Sequence, residues 1–367
     1  MSGQLILSNI LTKKKKQNYN YNMKTLLVDG DWCLKRHYHA REIFSSKGEH
    51  CGGVYGFLEN LGMILNKTLP DRVVVVWDGD MSGKLRLEDY PLYKYDHKSW
   101  DEDSYMRTVR EIDDDSKKKV SISNQKVRLK NIFENLFIRQ VEVEYVEGDD
   151  LIAQYVLTKD EDETVLIYSR DQDYYQLIDE NVFVYRPVDN IVLTPKNFKK
   201  LLGYTHKNAL LLKCYKGDAS DGIPGVPGIA LKTLIKYFPQ FIDEEYDIER
   251  IIDEASSIFF KDKIKSKSKK LQAIIGSRSL ANRNRKIMNL KEPYVNQEAI
   301  NEIELAKYSV LAKENGYVDR SVTDAVKSVM NEGYVKYMFN NDVNLFFTPY
   351  YRISNKEKEY TKKILES

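Results

Sequence analysis

Four short segments have the hydrophobic pattern of β-strands. Residues 25–28, 73–77 and 164–169 are apolar runs, whereas residues 141–146 alternate apolar and acidic side chains. A helical pattern over residues 151–158 separates the last two strands. Strands joined by a helix lie parallel in a sheet that helices cover. The pattern therefore predicts an α/β fold with a mostly parallel central sheet.

Later segments predict one more strand and mainly helices. Residues 182–185 have the pattern of a strand, residues 127–137 that of an amphipathic helix and residues 195–202 that of a short helix. From about residue 246 to residue 367 the chain is mostly helical and polar. The aromatic segment 344–353 is expected to pack in the core, with a docking peptide as the alternative.

Each of the first four strands ends at carboxylates. They are Asp29, Asp78, Glu147, Asp149, Asp150, Asp171 and Asp173. A single Asp there is usually a turn former or a helix cap. Open α/β sheets bind ligands at the carboxyl ends of their strands, so this whole set should meet at one rim. Like charges so close oppose folding unless cations hold them, which predicts a site for hard divalent metals.

Basic residues follow the first two strands. They are Lys35, Arg36 and Arg41 after the first strand and Arg86, Lys94 and Lys98 after the second. Cations that face a metal cluster could clamp a phosphate and stabilise its transition state. For each one alone, an ordinary surface cation is the alternative.

Two further segments lack the pattern of a core. Residues 96–124 are charged and long for a connection, which predicts a lid or gateway beside the rim, or disorder. Residues 217–228 hold the densest concentration of Gly and Pro and precede a helical pattern over 229–237. Glycines before a helix let backbone N–H groups approach phosphates. Asp218 and Asp221 add two carboxylates to this segment.

Composition narrows the class of protein. The net charge is only +2, with 42% hydrophobic and 31% charged residues, but lysines cluster at 13–16, 117–119 and 261–270. An acidic pocket on a patchily basic body suits a metal enzyme that acts on nucleic acid, whereas solvated charge runs are the alternative.

The spacing of the cysteines and the shortness of the apolar runs favour the cytoplasm as the cellular compartment. Three cysteines without CxxC spacing argue against a zinc site or a disulfide framework and fit a reducing environment. No apolar run approaches the ~20 residues of a membrane span, and the amino terminus lacks a secretory pattern. We expect a cytoplasmic protein, in the host cytoplasm if it is viral. Residues 1–22 have no core pattern and are expected to form a disordered tail, with Met23 as a second candidate start.

Together these motifs resemble the 5′-nuclease family, which includes flap endonucleases, bacteriophage 5′→3′ exonucleases with ribonuclease H activity, and the 5′-nuclease domain of bacterial DNA polymerase I. The matching stretches are residues 27–30, 77–79, 146–150, 169–173, 217–228 and 283–288. No polymerase domain follows, so the freestanding phage type is the closer match. The resemblance implies a PIN-like fold with a helical arch and a helix–three-turn–helix element.

The resemblance also implies a two-metal phosphodiesterase. One Mg²⁺ would lie among Asp29, Asp78, Glu147 and Asp149, and the other among Asp171, Asp173 and either Asp218 or Asp221, with Asp150 close by. The two ions, about 4 Å apart and replaceable by Mn²⁺, would activate a water and stabilise the leaving oxygen. Asp149 and Asp171 are the implied catalytic carboxylates, Lys94 the catalytic lysine and Arg86 a phosphate-binding arginine.

Contacts to nucleic acid are implied as well. Tyr93 would stack on a terminal base, and residues 96–124 would form the arch. The Gly/Pro motif would hold duplex phosphates, with a K⁺ ion on its carbonyls. The implied nucleic-acid-binding residues are Arg36, Tyr93, Lys98, Gly225, Gly228, Lys232 and Thr233.

The resemblance implies a domain division and partners. Residues 23–205 would be the nuclease domain, residues 206–300 a helical DNA-binding region and residues 301–367 a helical extension. A monomer would cut branched DNA, 5′ flaps and RNA–DNA hybrids and remove RNA primers during replication, with a single-strand-binding protein or a sliding clamp as candidate partners.

Several positions depart from the family pattern. Asp31 stands beside the first carboxylate where a small neutral residue is usual, and Gly222 replaces an Asn. His97, followed by Lys98, stands where the family commonly has Arg, so the resemblance does not imply the phosphate contact of that Arg. Two alternatives are a non-catalytic branched-DNA-binding protein and a PIN-like ribonuclease. The complete carboxylate set argues against the first, and the Gly/Pro motif against the second.

Overall fold

The computed structural model describes residues 23–94, 114–261 and 268–309, the pairs 312–313, 316–317 and 326–327, and residues 343–366. The predicted tail 1–22, residues 96–113 of the predicted arch and most of the basic run 261–270 lie outside these residues.

A six-stranded sheet forms the centre of the protein. Its strands are β1 (Lys24–Asp29), β2 (Arg72–Val76), β3 (Arg139–Val141), β4 (Thr164–Tyr168), β5 (Val182–Arg186) and β6 (Ile191–Leu193). Their spatial order is β3-β2-β1-β4-β5-β6, and every neighbouring pair is parallel except β5 and β6. Leu27 of β1 lies between Val74 of β2 and Ile167 of β4. The predicted mostly parallel sheet is confirmed.

Helices cover both faces of this sheet. In chain order, the helices of the described residues are α1 (Gly30–Ala40), α2 (Gly52–Thr68), α3 (Lys84–Leu87), α4 (Asp114–Asn135), α5 (Gly148–Leu157), α6 (Pro195–Leu202), α7 (Ala209–Lys216), α8 (Leu231–Tyr237), α9 (Ile248–Lys261), α10 (Lys269–Ile275), α11 (Arg278–Met288), α12 (Gln297–Tyr308) and α13 (Val343–Glu366). Within the described residues, no helix combines the length and the apolar content that crossing a membrane requires.

Alternation along the strands sends side chains to two separate cores. Leu27 belongs to the core that contains α5, α7, α9 and α12, whereas its neighbours Leu26 and Val28 belong to the core with α1, α2, α4 and α13. Both faces of the central strand are buried, which explains why it reads as a continuous apolar run instead of an alternating one.

The predicted strand over 141–146 is wrong. β3 covers only Arg139–Val141, and the chain then turns, with Tyr145 at φ 70°. Val143 and Val146 are buried, so the alternation reflects packing of a loop. The loop bonds to the segment after β2, where the Gly79 N–H donates to the Val146 carbonyl at 3.1 Å.

The carboxy-terminal aromatic segment packs in the core as predicted. Phe347, Tyr350 and Ile353 of α13 are fully buried against α2, and the Tyr350 hydroxyl donates to the Leu58 carbonyl at 2.5 Å. Further along α13, Glu357 enters the amino-terminal edge of the sheet.

Candidate functional site

The carboxyl ends of the parallel strands place two aspartates at one rim. Asp29 ends β1 and caps α1, because its Oδ1 accepts from the Trp32 N–H at 3.1 Å. Its Oδ2 accepts from the Ser169 hydroxyl at 2.9 Å, which joins β1 to the end of β4. Asp78 follows β2, and its Oδ1 accepts from the Gly148 N–H at 2.8 Å. The rim therefore couples three strands to the start of α5.

The amino terminus of α5 carries a second set of carboxylates. Glu147 precedes the helix, and Asp149 and Asp150 lie in its first turn, where the helix dipole favours negative charge. One carboxylate oxygen from each lies within 4.8 Å of the others, a spacing suited to a metal ion.

Four of the predicted metal-binding carboxylates act electrostatically on one buried side chain. Tyr174 is 1% exposed, and burial first, then the charges of Asp29, Asp149, Asp171 and Asp78, raise the pKa of its hydroxyl. The structure thus brings together carboxylates from four separate segments of the chain.

The charges of this rim perturb one another. Burial, with Asp78 and Asp171 adding to it, raises the pKa of Asp29 to about 7. Burial also raises the pKa of Asp149 well above its usual range, against the lowering effect of Arg86. Although burial alone would raise it, Arg86 and Lys94 lower the pKa of Glu147 to about 2. The hard oxygen donors and the crowded negative charge fit divalent metal ions.

Arg86 differs from the expectation of an arginine open to phosphate. It is 3% exposed, and its guanidinium pairs with Glu147 and donates to both oxygens of Asp150, at 2.5 and 2.9 Å. Its Nε donates to the Ile287 carbonyl at 3.1 Å. The Tyr294 N–H also donates to Asp150 Oδ1, at 3.0 Å. Burial and these bonds make Arg86 and Asp150 a structural pair here, and their predicted contacts to phosphate and metal stay predictions.

Lys94 reaches the carboxylate set from outside. Its ammonium group pairs with Glu147 and lies 3.6 Å from Asp221 Oδ1, and 27% of its side chain is exposed. The Lys94 N–H donates to the Asp221 carbonyl at 2.9 Å. Lys94 therefore stands between the rim and the Gly/Pro segment.

Tyr93 differs from the expected stacking platform. The side chain is 3% exposed, and its hydroxyl donates to Glu147 Oε2 at 2.9 Å. Its ring packs in an apolar cluster with Ile223 and Met288. The face that stacking would need is covered in this structure.

Sequence reasoning missed Lys213. This lysine of α7 pairs with Asp173 and lies 2.8 Å from Asp218 Oδ2. Asp218 also contributes to the raised pKa of Asp171, after burial, so Asp218 stands on the side of Asp171 and Asp173 while Asp221 stands beside Lys94. The sequence does contain a signal for this contact: Lys213 precedes the acidic loop by about one helical turn, a spacing at which side chains can meet.

The Gly/Pro segment joins α7 to α8 through tight turns. Gly217, Gly222 and Gly228 have positive φ, and a Cβ on Gly225 would lie 2.1 Å from the Lys216 carbonyl oxygen. Only glycine fits such a close approach of backbone to backbone.

The structure also describes three of the other predicted nucleic-acid contacts. Lys232 is exposed in the first turn of α8, and Thr233 beside it donates to the Gly228 carbonyl at 3.2 Å. Arg36 is half-buried, with its guanidinium 5.3 Å from the Trp32 ring centre. Lys98 lies outside the described residues.

Comparisons with known proteins find relatives of this chain. Residues 24–203 match the family model described as 5′-3′ exonuclease, N-terminal resolvase-like domain. The 5′-3′ exonuclease of Aquifex aeolicus is 30% identical over 223 residues, which cover 60% of this chain and 70% of that protein. The 5′-3′ exonuclease of Buchnera aphidicola from Schizaphis graminum is 29% identical over 238 residues, or 64% of this chain and 77% of that protein. DNA polymerase I of Bacillus subtilis is 30% identical over 247 residues, which cover 26% of its length.

A solved structure has the same fold. The D15 flap endonuclease of bacteriophage T5, in a pseudo-enzyme–product complex with DNA and metal ions, superposes with a TM-score of 0.56. At 16% identity, the match covers 91% of this chain and 99% of that one.

Proposed function

The chain belongs to the 5′-3′ exonuclease family, a family of nucleases that act on DNA, and we propose that it is a structure-specific, two-metal 5′-nuclease. It hydrolyses phosphodiester bonds at the 5′ ends and flaps of DNA and of RNA–DNA hybrids. Mg²⁺ is the proposed cofactor, with Mn²⁺ as a substitute, and removal of RNA primers is the proposed role.

The convergence of Asp29, Asp78, Asp149 and Asp171 at one rim carries this proposal: Ser169 bonds both Asp29 and the Asp171 N–H, and Asp78 accepts from Gly148, the neighbour of Asp149. Four carboxylates at the carboxyl ends of a parallel sheet lie where such sheets bind their ligands. Burial and mutual repulsion both disfavour the ionised form of these carboxylates. Bound divalent cations would offset both effects.

Two groups of residues would hold the metals. Asp29, Asp78, Glu147 and Asp149 form the first, and Asp171, Asp173 and Asp218 form the second. Bound there, the ions would activate a water and stabilise the leaving oxygen of an in-line displacement. Asp150 is assigned to the support of the first group, because Arg86 and the Tyr294 N–H already engage its oxygens.

The surrounding cations have separate tasks. Lys94 is partly exposed beside Glu147, so its ammonium group can face a scissile phosphate and stabilise the charge that develops there. Arg86 is buried and orients Glu147. Lys213 orients Asp173 and Asp218 from α7.

Duplex DNA is proposed to bind at the loop before α8. The backbone at Gly225 and Gly228 and the exposed Lys232 would contact phosphates, with Thr233 at the start of the helix. A K⁺ ion on the carbonyls of this loop would add positive charge where the backbone approaches the duplex. Residues 206–300 are the proposed DNA-binding region of a monomer.

The test uses one labelled 5′ flap and one labelled RNA–DNA hybrid, each with Mg²⁺ and with EDTA, and resolves the product sizes. We expect cleavage of both substrates from the 5′ side only with the metal. Binding of both substrates without any cleavage would favour a non-catalytic branched-DNA-binding protein and contradict the proposal.

A further inference from the structure

Asp78 is held at three of its polar atoms. Its Oδ1 accepts from the Gly148 N–H at 2.8 Å, and its own N–H donates to Asp31 Oδ2 at 2.7 Å. Its carbonyl oxygen accepts from the ammonium group of Lys126 at 2.9 Å. From the described residues, its Oδ2 receives no hydrogen bond. The carboxylate is therefore fixed in position with one oxygen left for a metal.

Lys126 uses all three of its N–H donors on this arrangement. Besides the Asp78 carbonyl, it reaches Asp31 Oδ2 at 3.3 Å and Glu142 Oε1 at 2.7 Å. An ammonium group has three protons and no acceptor, so these three contacts satisfy it. Its side chain is 19% exposed and its ammonium group lies 5.4 Å from the centre of the Trp77 ring, which limits its movement.

Asp31 is the residue that departs from the family pattern beside the first metal-binding carboxylate. A further carboxylate beside Asp78 adds repulsion unless a cation offsets it. Lys126 supplies that cation from α4, and the shared acceptor Oδ2 of Asp31 links it to the Asp78 N–H.

We propose that Asp31 and Lys126 are positioning residues that together fix Asp78 as a metal ligand. The pair ties α1 and α4 to the backbone on either side of the Asp78 carboxylate. This inference rests on the proposed function, since it assigns Asp78 to a metal site.

Charge and positioning predict opposite effects when Lys126 loses its ammonium group. Removing a positive charge near a cation site strengthens cation binding by Coulomb attraction alone. Releasing the Asp78 backbone weakens binding, by about 10-fold if the loss resembles that of other residues that orient metal ligands. The sign of the change therefore separates the two explanations.

The experiment measures Mn²⁺ binding to the full chain without DNA, from the loss of the free Mn²⁺ signal in electron paramagnetic resonance. Lys126→Met should bind Mn²⁺ about 10-fold more weakly than the wild type. Lys130→Met is the matched control: Lys130 lies one turn later on α4 and pairs with the same Glu142, so its loss removes an equal charge. Its Mn²⁺ affinity should be unchanged or slightly higher.

Two more variants complete the test. Lys126→Arg keeps charge and donors and should retain most of the affinity, and thermal unfolding without metal checks that each variant is folded. Asp31→Asn combined with Lys126→Met should weaken binding no more than the stronger single change, because residues that act as a unit are not additive.

Unchanged or tighter Mn²⁺ binding by Lys126→Met, or fully additive losses in the double variant, would overturn the positioning role. If Lys126→Met does not fold, Lys126→Gln decides the same question, because it also removes the positive charge: weaker Mn²⁺ binding supports the positioning role, and tighter binding overturns it. Absence of Mn²⁺ binding by the wild type would instead refute the two-metal function itself.

Discussion

Arg139 and Glu357, 218 residues apart in the chain, form a buried bidentate ion pair with N–O distances of 2.8 and 3.0 Å. Arg139 starts β3, and Glu357 belongs to α13. Arg139 also donates to the Ala306 carbonyl at 2.9 Å, so one guanidinium joins the sheet, α12 and the carboxy-terminal helix. The pair lies at the amino-terminal edge of the sheet, away from the carboxylate rim.

Glu357→Ala should destabilise the protein by about 3 kcal/mol or more, because it leaves a buried arginine without its partner. Asp243→Ala, which breaks the exposed Lys199–Asp243 pair, should cost less than about 1 kcal/mol. Urea unfolding compares the two. Nuclease activity per folded molecule should be equal in both variants. Equal, small losses of stability would show that α13 does not depend on the pair.

The Asp29 carboxyl predicts a pH-dependent stability of the metal-free protein. Its pKa is about 7 in the folded protein, above the usual 3.8, so the folded state binds this proton more tightly than the unfolded state. The contribution to stability is full below pH 4 and is lost as pH rises through 7. Asn also caps helices well, so Asp29→Asn should keep α1 while removing this penalty.

Without metal, the free energy of unfolding of Asp29→Asn minus that of the wild type should therefore rise from pH 4 to pH 8. The expected rise is on the order of 4 kcal/mol, at 1.36 kcal/mol per pH unit. Chemical unfolding at both pH values measures the gain. With saturating Mg²⁺ the wild type should recover its stability at pH 8 and the variant should not. The same difference in stability at pH 4 and pH 8 would contradict the assigned pKa.

Lys94→Ala should lower single-turnover cleavage of a 5′ flap by about 100-fold or more, the effect of losing one preorganised electrostatic donor. Affinity for the flap should change little, since Lys94 stands beside Glu147 and not on the exposed face of α8. Quenched-flow cleavage and fluorescence anisotropy separate the two quantities. A large loss of affinity with an unchanged single-turnover rate would assign Lys94 to binding.

Lys232→Ala should weaken binding to every duplex sequence alike and reduce the log–log salt slope by about one unit. Lys236, one turn later on α8 and also exposed, provides the matched control. Lys236→Ala should leave the slope nearer to that of the wild type, because Lys236 lies farther from the Gly/Pro loop. Weakening that depends on base sequence would mean that this helix reads bases.

The rim aspartates were predictable because local signals place them. Asp29 and Asp78 follow short buried apolar runs, and in a parallel sheet the direction of such runs decides where their ends meet. The same reasoning failed for residues 141–146. An alternation of apolar and polar side chains fits a loop with buried valines as well as it fits a strand.

The partners of the rim residues were not predictable, because they come from distant parts of the chain. Lys126 reaches Asp31 across 95 positions, and Arg86 donates to Ile287 across 201. No local period encodes such contacts. The burial of Arg86 and Tyr93 depends on α11 packing over them, so their sequence motif alone suggested more exposed roles than the structure gives them.

The two-metal account is tested most directly by the Mg²⁺ dependence of single-turnover flap cleavage in Asp149→Asn and Asp171→Asn. Asp149 and Asp171 lie on different segments but both raise the pKa of the buried Tyr174, and each is assigned to a different metal. Both variants should remain folded, bind branched DNA as the wild type does and lose cleavage at every Mg²⁺ concentration. Full Mg²⁺-dependent cleavage by the Asp149→Asn variant would contradict the account.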